Sequence, residues 1–269
     1  MPDLPNDLPD DLPDDLPDDL PGVLRAHTCF YASYNDGPDA DVCRGAGSAS
    51  LQDSVVRWSG HSGRSGGALV FTAADYGWDE DECSYAAAGN FPYDPDGFSG
   101  TVSMWLSCDP DQDLKPEFPV DPFHISRRAA DGSFYLDLTR PDDDRYGSPR
   151  HLRFGIYSDS EENSRFVGGQ LIVVGDLQWR RDQWHHLVAT WRNANSGRGD
   201  GAAEVWIDGV RRGWMQGYEH RVTWDVEDLT IGLGQRFSGR IDEVLILDTA
   251  LNGDQVRDLG SLAVADSMR

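Results

Sequence analysis

"FSGRIDEVLILDTALNGDQVRDL" fills residues 237–259, and its reading decides the fold. A β-branched and leucine-rich run from Gly239 to Leu247 has the length and composition of a buried strand. Two adjacent acids, Asp242 and Glu243, interrupt it. The run then passes into "NGDQVRDL", where Asn252 is placed to cap a short helix and Asp254 lies near its positive end. A strand that exits into one amphipathic turn can close the end of a β-sandwich.

Working outward, the same texture fills the chain from residue 22. Short apolar-alternating runs such as "TCFYASYND", "GTVSMWLSC", "SFYLDLTR", "WHHLVATWR" and "LTIGLG" are separated by Gly, Asp, Asn and Pro. Eleven strands are predicted in all. The firmest hairpin signal is "AEVWIDGVRRG", where Asp208-Gly209 supplies a tight primed turn. Many short antiparallel strands and one short helix after Leu251 predict a two-sheet antiparallel sandwich or jelly roll. No second break in composition appears, so residues 22–269 are read as one domain.

Residues 1–21, "MPDLPNDLPDDLPDDLPDDLP", repeat Leu-Pro every four residues with aspartates between. Proline at that spacing removes backbone donors, which predicts an extended acidic arm without helix or interior strand. The arm is read either as a solvated spacer or as a docking segment. In the second reading Leu4, Leu8, Leu12, Leu16 and Leu20 would seat on a neighbouring copy and build a filament.

The 269 residues carry 47 acids against 23 bases, a net charge of −24. A field of that sign disfavours nucleic-acid backbones and anionic membrane surfaces. The chain has no apolar run long enough to span a bilayer, so membrane insertion is not expected, and its start lacks the layout of a secretory signal. Only 9 of the acids are Glu, and Lys115 is the single lysine. A salty milieu, a GC-rich genome and a calcium-rich exterior would each account for that bias. Cys29, Cys43, Cys83 and Cys108 form no metal-binding motif, and pairing or free thiols both remain open.

The order of "DQWHHLVATW", "AAEVWIDGVRRG", "LTIGLG" and "FSGRIDEVLILDTALNGDQV" resembles the C-terminal half of bacterial laminin-G-like domains, of the concanavalin A-like lectin and glucanase class. "FYASYNDGPDADVCRGAG" resembles their first strand. The resemblance implies a concanavalin A-like jelly roll of two curved sheets, and its members include lectins, adhesion domains and some glycosidases. Fold alone does not choose among these. The resemblance also implies a structural calcium site in which Asp242 meets the first strand, with Asp36 the expected partner and Asp39 and Asp41 secondary. The competing reading makes Asp242 an acceptor for backbone amides and Asp36 a turn former.

Other features carry less. "DPDQDLKPE" at 109–117 has Leu114 where a calcium-binding EF-hand loop needs glycine, so a solvated acidic loop is expected. His185 and His186 should face opposite sides of one strand and cannot share an ion. No Glu-x-Asp-x-Glu lies on an apolar strand, so no catalytic carboxylates are expected. Tyr76, Trp78, Tyr93, Trp214 and Tyr218 sit in loops or after the hairpin, where rings could stack on sugars. The expected function is a non-catalytic, extracellular or cell-surface recognition domain, stabilised by calcium, that binds a glycan or a cell-surface protein.

Overall fold

The computed structural model describes residues 20–72, 83–115, 118–129, 132–141, 149–157 and 171–262. Among them are sixteen strands: β1 (Thr28–Ala32), β2 (Val42–Cys43), β3 (Ser50–Leu51), β4 (Val56–Ser59), β5 (Ala68–Phe71), β6 (Cys83–Ala86), β7 (Phe98–Ser107), β8 (Val120–Ala129), β9 (Gly132–Leu138), β10 (Leu152–Tyr157), β11 (Leu171–Val174), β12 (His185–Ala194), β13 (Gly201–Ile207), β14 (Val210–Tyr218), β15 (Thr230–Gln235) and β16 (Gly239–Leu247). Two short helices, α1 (Leu20–His27) and α2 (Gly253–Ser261), flank them.

All strand pairings are antiparallel, in two sheets. One runs β14-β13-β12-β7-β16-β1-β2 with β5 and β4 appended beside β16; the other runs β11-β10-β9-β8-β15-β6-β3. This is the expected jelly-roll sandwich. The first strand lies beside the last, with Phe30 opposite Ile246 and Ala32 opposite Val244. Between the sheets an aromatic nucleus surrounds the fully buried Trp191, which stacks on Phe91 at 5.6 Å and meets Phe134 edge-on at 4.5 Å. Gly100 leaves the room for that indole, since a Cβ there would come within 2.3 Å of the ring.

A second, smaller core lies on the outer face of the nine-stranded sheet. Leu20, Val23 and Leu24 of α1 and Val256 and Leu259 of α2 cover Tyr31, Val188, Trp206, Leu245 and Leu247. Asn252 caps α2 as its sequence predicts, in a reciprocal capping box with Gln255. Helix α1 corrects the reading at the arm's last two residues, Leu20 and Pro21. The chain is helical from Leu20, because Pro21 falls in the first helical turn, where its missing N–H has no partner to lose. Leu20 is buried in this chain's own second core, not presented to a neighbour. Leu4, Leu8, Leu12 and Leu16 lie outside the described residues.

The outer face of the seven-stranded sheet carries buried polar rungs. Asp137 on β9 lies directly opposite Arg153 on β10, and the two form a buried bidentate ion pair, with Nε to Oδ1 at 2.7 Å. All four cysteines are free thiols; Cys29, Cys83 and Cys108 are buried and Cys43 is exposed. Burial pushes the Cys29 thiol up to about 11. No described helix is long and apolar enough to cross a membrane.

Candidate functional site

The two adjacent acids find their explanation in a β-bulge. Strand β16 pairs with β5 over Gly239–Ile241 and with β1 over Val244–Leu247, and its register against β7 shifts between Asp242 and Leu245. Glu243 takes the left-handed backbone, φ 53°. Such a bulge turns two successive side chains to one face, so Ile241 and Val244 enter the main core while both acids point outward. Asp242 is fully buried there and accepts from the amides of Arg64 at 2.7 Å, Glu243 at 2.9 Å and Ser65. The amides of Arg64 and Ser65 belong to "GHSGRSGG", the turn between β4 and β5, where Gly63 keeps the approach open: a Cβ on it would lie 2.8 Å from Asp242 Oδ2. Burial and the Glu243 charge raise the Asp242 carboxyl to about 7, although the three amides oppose the rise. Tyr31 donates its hydroxyl to Glu243.

The residues expected to hold calcium do not form a cage. Asp36 is exposed, Asp39 accepts from the Ala49 amide at 2.8 Å, and Asp41 accepts from the Ser33 amide at 2.6 Å. Among the described residues no group of three or more His, Cys, Asp or Glu is placed to hold a metal ion. Calcium needs six to eight oxygens, and the oxygens of Asp242 already face amide donors. The set does not fit the ion.

The aromatic candidates separate in the same way. Tyr76 and Trp78 lie outside the described residues. Tyr93 donates its hydroxyl to the Val222 carbonyl at 3.0 Å and packs on Phe98 and Trp224, so it braces the core edge. Tyr218 stacks on His220 at 6.0 Å and also packs against the core. Trp214 alone of the three keeps a large exposed surface, 39%. The histidine pair divides between faces as expected: His186 stacks on Trp105 and bonds Ser103, while His185 stacks on Trp179 and bonds Asp208.

An open groove of about 440 Å³ lies at the rim where β5 and β7 end and β16 begins. Its apolar floor is Val70 and Phe71, and its polar rim is Ser107, Asp113, Arg181, Asp182 and Arg240. The acidic loop after β7 folds onto this rim. Asp113 turns back to accept from the Asp109 amide at 2.8 Å, and its other oxygen receives Arg181 Nε at 2.7 Å. Arg240 donates from Nη2 to the Ser107 hydroxyl at 2.8 Å and to the Arg181 carbonyl at 3.2 Å, and its guanidinium lies 5.1 Å from the half-buried Trp184 ring. Gly239 lets β16 come close to the end of β7, because a Cβ would lie 2.6 Å from the Ser107 carbonyl. The sequence gives no sign that residues 113, 181 and 240 converge; only the sheet order brings them together.

Residues 81–257 match a laminin G-type family profile described as the concanavalin A-like lectin/glucanases superfamily. The chain belongs to this superfamily. Solved structures share the fold at low identity. Domain 4 of an extracellular arabinanase from Geobacillus stearothermophilus, solved with arabinotriose, superposes with a TM-score of 0.53 and 18% identity over 87% of this chain and 98% of its own. The botulinum neurotoxin serotype G binding domain gives 0.61 at 11% identity, over 87% of this chain and 50% of that one. The serotype D ligand-binding domain, solved with N-acetylneuraminic acid, gives 0.54 at 8%, over 90% and 52%. The chain therefore spans about half of each toxin domain. No curated protein matches it.

Proposed function

We propose that this chain is a non-catalytic glycan-recognition domain working outside the cell or at its surface, and that the rim groove is its binding site. The observation that carries the reading is the groove's chemistry. Charged donors and acceptors stand side by side over an apolar floor, the combination that orients a small polar ligand in a concave site. The arabinotriose and N-acetylneuraminic acid held by two structural neighbours support a sugar as the ligand class. Recognition without cleavage is supported by the state of the acids. Glycoside hydrolysis needs one carboxyl free to donate a proton and a second facing the same bond. Of the groove's two carboxyls, Asp113 is committed to Arg181 and the Asp109 amide, which leaves Asp182 without a second uncommitted carboxyl among the lining residues. A glycan array followed by calorimetry on the hits tests this. Saturable binding with intact oligosaccharide recovered is expected; release of new reducing ends would contradict it.

A further inference from the structure

The groove's unspent groups point to one class of sugar. Arg181 uses Nε and Nη2 on Asp113, and Arg240 uses Nη2 on Ser107 and the Arg181 carbonyl, so each guanidinium keeps further N–H donors. Asp182 is lightly held: its side chain is 93% exposed and pairs with Arg240 at 3.7 Å, so most of its acceptor capacity faces solvent. Gln112 and Ser238 add groups able both to donate and to accept. Two adjacent hydroxyls on one sugar ring require this mixture, because each hydroxyl both gives and takes a hydrogen bond.

Charge argues against an acidic sugar. Asp113 and Asp182 balance Arg181 and Arg240 at the rim, so the groove offers no net positive charge, and it sits on a chain of −24. A ligand carboxylate seated in the groove would lie inside the roughly 8–10 Å screening length of both acids, and Arg181 could offer it only the N–H groups that Asp113 leaves. We infer that the groove selects short neutral glycans presenting a vicinal diol, and discriminates against uronic- and sialic-acid sugars. This rests on the proposed glycan-recognition function and narrows it.

The test is calorimetry on the full chain with two probe sets: arabinotriose, xylotriose and cellotriose as neutral sugars, trigalacturonate and sialyllactose as acidic ones, each at low and high salt. At least one neutral trisaccharide should bind about tenfold or more tighter than either acidic probe, with little change on adding salt. Arg181→Ala and Arg240→Gln should each weaken that binding about tenfold or more, while Arg198→Ala, in the loop between β12 and β13, leaves it unchanged. Tighter, salt-sensitive binding of an acidic probe would overturn the inference and leave glycan recognition standing. Neutral binding indifferent to both groove variants would overturn the groove as the site. Failure of all five probes to bind would take down this inference and the glycan reading together.

Discussion

Asp242 is the residue on which the closing strand turns. Its carboxyl terminates three backbone amides that no other described acceptor serves, so Asp242→Ala should lower unfolding stability by about 1–3 kcal/mol, read by urea denaturation. Its pH response has a definite sign. The folded chain holds this proton up to about 7 while the unfolded chain releases it near 3.8, so the group's contribution falls as pH rises through that window. The stability of the wild type relative to Asp242→Asn should therefore drop by a few kcal/mol between about pH 4 and pH 7 and stay level above it. The same amide contacts predict a melting temperature equal in calcium and in chelator; a clear rise with calcium that Asp242→Ala abolishes would mean that Asp242 is a ligand after all. The sequence offered both readings of this acid, and what separates them, the fold of "GHSGRSGG" onto β16, leaves no mark in composition or spacing.

Among the elements, legibility followed hydrophobic pattern. Strands such as β7, β12 and β16 bury one or both faces and could be read from their apolar runs, and the Asn252 cap announced α2. Only the start of β14 was legible, through the Asp208-Gly209 hairpin; the rest of "VRRGWMQGY" lies at a sheet edge with most of its side chains exposed, so nothing forces alternation on it. Strands β2 and β3 have two residues each, too few to carry a period. Helix α1 was hidden by Pro21, whose helix-breaking effect lapses in a first turn. Its apolar face, Leu20, Val23 and Leu24, follows the spacing of one helical stripe and roofs the second core with α2. Leu24→Ala should accordingly cost about 2–5 kcal/mol in chemical denaturation, as for any fully buried leucine; a change below about 0.5 kcal/mol would mean that α1 is not packed there.

At the scale of the whole molecule, two curved sheets with first and last strands paired bring the ends of β5, β7 and β16 to one rim, and the acidic loop after β7 meets the arginines before β12 and in β16 there. The family and its sandwich were readable in the chain, but the groove was not, since Asp113, Arg181 and Arg240 are dispersed in sequence and each is an ordinary surface charge alone. The loop read as merely solvated turns out to anchor Arg181. Whether this rim receives sugar is answered most directly by a two-dimensional NMR titration of the labelled chain with unlabelled arabinotriose. Saturating shift changes at Ser107, Gln112, Asp113, Arg181 and Arg240 are predicted. Changes gathered instead around Trp214 or on the outer face of the seven-stranded sheet, or no saturating change with any neutral trisaccharide, would contradict the account.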